Sequence, residues 1–262
     1  MDLGIHGRTA LVCGASSGIG FAIARSLIRE GVQVAICARN QDKLKRAQLA
    51  LQQDSESAVI SVSADLGKKV EIENLIERVE SQLGAINILI NNVGGPAPGS
   101  LLELEDSQWY DGFELSLMSI VRLTKAVLPR MQEEKWGRII AIASNTAKEP
   151  RAEILLSSTL RAAVCAFNKG IAAQLAPYNI AVHSVCPGPI STDRVLNFAQ
   201  EIATTQNLTF QQAQDSLTGN LPMGRLGEPD EVANLVTYLA SERCHFMTGN
   251  AIAIDGGQLR SW

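Results

Sequence analysis

Short runs that are apolar at almost every position alternate along the chain with longer stretches that are apolar on one side only. The short runs are TALVCGA (9–15), VQVAICA (32–38), AVISVSA (58–64), INILINN (86–92), GRIIAIAS (137–144), IAVHSVCPG (180–188) and AIAIDGG (251–257). Continuous rather than alternating hydrophobicity predicts strands covered on both faces, as in a parallel sheet. The longer stretches are IGFAIARSLIREG, DKLKRAQLALQQ, KVEIENLIERVESQL, the region 106–135 and LRAAVCAFNKGIAAQLA. In the last of these, Leu160, Val164, Phe167, Ile171 and Leu175 recur at steps of three and four and share one helical face. Strand and helix alternate from end to end, which predicts a doubly wound α/β fold in a single domain over 1–262.

One segment interrupts the alternation. Residues 190–228, including NFAQEIATTQNLTFQQAQDSLTGN, are polar and weakly helical. An insertion after the sixth strand lies on the carboxyl side of a parallel sheet, where a substrate lid is expected; the alternative is a plain surface excursion.

Composition narrows the function classes. Of 262 residues 46% are hydrophobic and 19% charged, the profile of a well-packed soluble domain. Lys and Arg number 23 against 27 Asp and Glu, a net charge of −4, with no basic footprint for nucleic acid. No apolar run approaches the ~18 residues of a membrane span. The opening MDLGIHGRTA lacks the pattern of a secretory signal, so a cytoplasmic location is expected. Four of the five cysteines (Cys13, Cys37, Cys165, Cys186) lie in apolar segments, Cys244 follows a charged one, and no zinc-type spacing occurs. Free thiols and no metal site are expected.

Candidate chemistry starts at Gly14-Ala15-Ser16-Ser17-Gly18-Ile19-Gly20, directly after the first strand and opening the first helix. Gly14 allows a tight turn, Gly18 lets the backbone approach a pyrophosphate, and Gly20 permits close helix–strand packing. Free N–H groups and the positive end of the helix dipole would face the anion. The second strand runs out through Arg39, where an adenosine ribose would lie, with no acid before Asp42. Arginine there favours a 2′-phosphate, so NADP(H) is expected over NAD(H), which stays possible if Arg39 is a solvated strand end.

These residues, with others at matching spacing, make the chain resemble the short-chain dehydrogenases/reductases. The further matches are Asp65-Leu66, Asn91-Asn92-Val93-Gly94, Ser144, Pro187-Gly188-Pro189-Ile190-Ser191-Thr192, Pro222-Met223-Gly224-Arg225 and Asp255-Gly256-Gly257, so the resemblance spans the chain. It implies a Rossmann-type fold with a seven-stranded parallel sheet. It also implies that Asp65 and Leu66 border the adenine, Asn91 contacts the adenosine-side ribose, and Ile190 and Thr192 meet the nicotinamide carboxamide. Gly94, Pro187 and Gly188 belong to the same cofactor motifs.

The family's usual catalytic group is Asn, Ser, Tyr and Lys, and only Ser144 is matched without ambiguity. Alignment on the following Ala-Ala puts Ser157 in the Tyr place and Arg161 in the Lys place, while the Asn place reads Ser116. The four-residue step keeps Ser157 and Arg161 on one face of a helix, but a serine hydroxyl is far too weak an acid to replace a phenol of pKa ~10 unaided. Tyr110, Tyr178 and Tyr238 are not placed beside Ser144 by this topology, and His183 and His245 read as structural. Arg161 keeps a positive charge that can bond ribose hydroxyls. Lys148, four residues past Ser144, is a candidate proton donor if it is desolvated beside Arg161, or else a solvated loop lysine. Lys148, Arg161 and Arg194 also form a candidate anion-recognition set. The pattern is similar to a divergent branch that includes reductases of antibiotic biosynthesis and proteins described as 3-oxoacyl-carrier-protein reductases.

Two functions stay open: an NADP(H)-dependent oxidoreductase that reduces a carbonyl or conjugated enone of a small molecule, or a non-catalytic dinucleotide-binding sensor or structural protein. A homo-oligomer, dimer or tetramer, is what the resemblance implies.

Overall fold

The computed structural model describes residues 1–219 and 221–261. Seven strands, β1 (Thr9–Cys13), β2 (Gln33–Ala38), β3 (Val59–Ser63), β4 (Ile88–Asn91), β5 (Gly137–Ile142), β6 (Ile180–Pro187) and β7 (Asn250–Ile254), form one sheet in the order 3-2-1-4-5-6-7. Every pairing is parallel. Six of the seven strands end one to three residues before their apolar runs do, because those runs continue into the loops at the carboxyl edge.

Both faces of the sheet are covered, for the reason the continuous apolar runs imply. Ala10, Val12, Val34, Ile36, Ile88 and Ile90 point to one side, against Ile23 and Leu27 of α1 (Gly18–Arg29), Leu44 and Leu51 of α2 (Gln41–Asp54) and Val232 and Val236 of α9 (Pro229–Leu239). The alternate residues Leu11, Cys13, Ala35, Cys37 and Leu89 face the other side, against α3 (Lys69–Leu83), α5 (Ser119–Glu133) and α6 (Leu155–Leu175).

The region 106–135 is not one uniform helix. α4 (Asp106–Phe113) passes through a π-helical turn, Glu114–Met118, into α5. The wider turn carries the fully buried Ser116. The segment 190–228 contains two helices, α7 (Asp193–Thr205) and α8 (Phe210–Thr218), joined by a small alanine-lined contact of Ala199, Ala203 and Ala213. Its two ends are tied together, since Ser191 N–H donates to Gly227 O at 2.7 Å and Gly227 N–H to Pro189 O at 3.0 Å.

Strand order reverses between β1 and β4. The loops leaving these two strands diverge to opposite sides, and the crevice they leave at the carboxyl edge is the expected ligand position in such sheets. No helix among the described residues is long and apolar enough to cross a membrane.

Candidate active site

The crevice is lined by two adjoining hollows that share Gly14, Asn92, Val93 and Gly94. The chain turns from β1 into α1 at Gly14, with φ +58°, where a methyl group would collide with Asn92 O. Asn92 Nδ2 donates to Gly14 O at 3.2 Å, which locks the β1 and β4 loops together. Gly20 is packed so closely on this loop that a methyl there would collide with Gly14 O, so its role is packing rather than lining. Ser17, Gly18 and Ile19 line the larger hollow, and Ser17, at the N-cap of α1, makes no side-chain cap bond. The first-turn N–H groups of α1 therefore face the crevice with the positive end of the helix dipole behind them.

The smaller hollow, about 280 Å³, is bordered by Ser16, Ala38, Arg39, Asn40, Lys43 and Leu66. Asn40 caps α2 by accepting from Lys43 N–H at 2.9 Å, and this sets Lys43 beside Arg39 at the mouth of the hollow. The cationic character here is thus doubled relative to the sequence reading, which identified Arg39 alone; the Asn40 cap was the available signal for Lys43. Asp65 does not border the hollow. Its carboxylate accepts from Gly67 N–H at 3.0 Å and it shapes the loop that precedes α3, leaving Leu66 to form the wall.

The larger hollow, about 520 Å³, brings together Ser144, Ser157 and Arg161 with Pro187, Gly188, Ile190, Thr192 and Arg194. Ser144 follows β5 and caps a short 3-10 turn, Asn145–Ala147, where its Oγ accepts from Thr146 N–H at 3.2 Å and lies 3.0 Å from Thr146 Oγ1. Ser144 Oγ in turn donates to Asn145 Oδ1 at 3.4 Å, a long bond that its proton would exchange for one to a ligand in the hollow. The loop is held from outside by the C-terminal tail: Asn145 Nδ2 donates to Gln258 Oε1 at 2.7 Å, and Glu149 Oε1 accepts from the Arg260 and Ser261 amides.

Arg161 is buried, at 6% exposure. Its Nη1 donates to Ile142 O at 3.0 Å and its Nη2 to Val93 O at 2.9 Å, so it bridges the ends of β5 and β4. Burial, reinforced by the charge of Arg194, lowers its pKa to about 10, and the guanidinium stays charged at neutral pH.

Other expected residues lie elsewhere. Lys148 is half-buried just past the 3-10 turn and does not line the hollow. Its charge acts on the thiols of Cys165 and Cys186, while the cation that Arg161 feels is Arg194. The turn at Asn145–Ala147 carries the chain past the strand edge toward the α6–β6 packing, so the expected Lys148–Arg161 pairing is replaced by Arg194–Arg161. Asn91 is fully buried below the crevice with neither side-chain atom partnered among the described residues, and Asn92 takes the lining position. None of the three tyrosines lines either hollow; Tyr110, Tyr178 and Tyr238 are 71%, 40% and 39% exposed. His183 is buried within β6, where desolvation lowers its pKa to about 4. No group of three or more potential metal ligands occurs among the described residues.

A family model described as Enoyl-(Acyl carrier protein) reductase matches residues 14–258. The chain belongs to this family of short-chain dehydrogenases/reductases. It is 34% identical over 255 residues to the NADPH-dependent reductase BacG of Bacillus subtilis (strain 168), covering 97% of this chain and 98% of that protein. It is likewise 34% identical over 252 residues to a putative ketoacyl reductase of Streptomyces coelicolor, covering 95% and 96%. The structure of L-sorbose reductase from Gluconobacter frateurii, complexed with NADPH and L-sorbose, superposes with a TM-score of 0.97 at 32% identity over the full length of both chains. As a short-chain dehydrogenase/reductase, this protein is an oxidoreductase by family. Ser144, Ser157 and Arg161 line the larger hollow of its crevice.

Proposed function

We propose that the protein is an NADPH-dependent reductase of a carbonyl or conjugated enone in a small molecule, with its proton drawn through the cleft rather than from a phenol. The observation that carries this reading is the convergence of Ser144, Ser157 and the buried Arg161 on the same hollow that the α1 N-terminus and its glycine loop border. The residues fit the dinucleotide: free amide donors for a pyrophosphate, Gly94 with open space beside it, and Arg39 with Lys43 for a 2′-phosphate. NADPH dependence in BacG supports the same choice. When bound, that cofactor supplies the hydride.

The chain's own residues do the rest. Reduction at carbonyl carbon, or at the far carbon of an enone, puts negative charge on the substrate oxygen. The Ser144 hydroxyl donates a hydrogen bond to that oxygen, and the fixed Arg161 cation nearby stabilises the charge in a partly dry site. Ser157 passes a proton inward from solvent, giving one and taking one, because a serine cannot serve as a net acid at neutral pH. The segment 190–228 closes over the substrate as a lid.

The test is NADPH oxidation followed at its absorbance band, with ketones, quinones and enones as substrates. Saturable turnover abolished by Ser144→Ala is the expected result. Tight NADPH binding with no turnover across the panel would instead make the protein a dinucleotide sensor. Replacing both Arg39 and Lys43 by alanine is expected to shift the NADPH/NADH preference toward NADH by tenfold or more.

A further inference from the structure

The reductase reading leaves one charge in the cleft without a task. Arg194 stands in the first turn of α7, and its guanidinium lies over Gly95, where a methyl group would fall 2.5 Å from Nη1. It lines the larger hollow with Ser144, Ser157 and Arg161. None of the ion pairs among the described residues includes it, although acidic partners hold Arg25, Arg29, Arg122, Arg130 and Arg225. A helix N-terminus disfavours a cation, and Arg161 across the cleft disfavours it further. Asp193, beside Arg194 in the same turn and lining the same hollow, offsets part of this charge but forms no ion pair with it, so an entering anion still meets two arginines.

The cofactor's own anions have other partners. The α1 amides face the pyrophosphate position, and Arg39 with Lys43 borders the adenosine end. Arg194 comes from the opposite rim, on the 190–228 segment, beside the hollow that holds Ser144 and Ser157. The two arginines also divide the work. Both Nη atoms of Arg161 already donate to backbone carbonyls, so it contributes charge, whereas the Arg194 fork is free for the planar, two-bond recognition that suits a carboxylate.

We propose that Arg194, with Arg161 behind it, anchors a carboxylate carried by the substrate, so that the preferred substrates are small oxo acids and unsaturated oxo acids rather than neutral carbonyl compounds. The identity of the reaction rests on the reductase reading; the anion site does not. A hollow of about 520 Å³ holds a molecule of this size with its carbonyl at Ser144 and its carboxylate at the Arg194 rim.

Binding is measured first without chemistry, on the protein saturated with NADP⁺, by calorimetry with pyruvate, phenylpyruvate and 4-oxopentanoate, each beside its methyl ester. At least one acid is expected to bind about tenfold or more tightly than its ester, as one charge-assisted bidentate contact gives. Arg194→Met should remove that ratio, and Arg194→Lys should restore part of it as a charge without the fork. The Arg194→Met loss of NADP⁺ affinity should be several-fold smaller than its loss of acid affinity. Equal binding of acids and esters to the wild type overturns the proposal. So does an equal loss of acid and NADP⁺ affinity in Arg194→Met, which would assign the arginine to a cofactor phosphate. An acyl-phosphopantetheine thioester that outcompetes every acid in an Arg194-dependent way also overturns it, by moving the anchored anion to a phosphate. Turnover with NADPH then separates the two readings. Acids that bind through Arg194, with no turnover of them or of any ketone, quinone or enone, leave the anion site standing and sink the reductase. Esters reduced as well as acids sink this proposal and leave the reductase.

Discussion

Arg138 lies at the amino edge of β5, and Arg161 reaches the carboxyl edge of the same strand from α6. Each is buried, at 1% and 6% exposure, and burial lowers the pKa of each to about 10. Each is pinned by backbone oxygens: Arg138 donates to Gly137 O, Asn179 O and Ser241 O, Arg161 to Ile142 O and Val93 O. Their surroundings differ. Arg138 sits 4.4 Å from the centroid of the Trp136 ring, which Arg8 also covers at 4.1 Å, and borders neither hollow of the crevice. Arg161 opens onto a hollow shared with two serine hydroxyls and a second arginine. A buried cation with a displaced pKa therefore does not by itself mark a functional site. What marks it is the cavity beside the charge and the unpaired groups that share that cavity.

The contrast can be broken by experiment. Ser144→Ala is expected to lower turnover by on the order of 10²- to 10³-fold with NADPH affinity changed by less than about threefold, the signature of a donor used at the developing oxyanion. Retained turnover would leave the carboxyl edge no more catalytic than the amino edge. Arg138→Met and Arg161→Met are each expected to destabilise the fold by about 3 kcal/mol in denaturant titrations, because each strands backbone carbonyls in the interior. Only Arg161→Met should also weaken NADPH binding, by about tenfold in fluorescence titration. An equal effect from Arg138→Met would dissolve the distinction between the two edges.

The interior of the sheet, away from the crevice, has its own pH signature. Desolvation, with a smaller contribution from Arg138, lowers the pKa of His183 from 6.5 to about 4. The unfolded chain then binds a proton between pH 6.5 and about 4 that the folded chain refuses. Stability from this group is complete above pH 6.5 and is lost as pH falls toward 4, by about 3 kcal/mol. His183→Gln should flatten that part of the stability curve, and an unchanged acid slope would show that another group controls it. The smallest effect is expected from Lys148→Met: less than about threefold in turnover, but slightly slower alkylation of Cys165, whose pKa is lowered first by its contact with Cys186 Sγ and in smaller part by the Ser184 hydroxyl and the lysine charge. A large loss of turnover would return Lys148 to the proton path.

Much of this was legible in the chain. The seven strands, their burial on both faces and the glycine turn into α1 follow from hydrophobic runs and from the few residues that tolerate the turn's geometry. The position of Ser144, and Ser157 and Arg161 standing one helical turn apart, were equally readable, since a four-residue step on a helix is local. Lys43 was hidden because its place depends on the Asn40 cap. Lys148 was misplaced because three residues of 3-10 turn redirect the chain, and no periodicity announces such a turn. Asn91 is buried and Asn92 lines the crevice because only the strand's register decides which of two adjacent side chains is covered.

The amino-acid sequence by itself determined the α/β sheet, the glycine turn into α1 and the one-turn spacing of Ser157 and Arg161, because each is written in neighbouring residues whose geometry the backbone constrains directly. Tertiary structure alone decided that Arg194 lies over Gly95, that Arg161 ties β4 to β5, and that Arg138 is locked beneath Trp136. Those juxtapositions join residues far apart in the chain, and their positions are fixed only when the packed core brings the separate strands and loops into register.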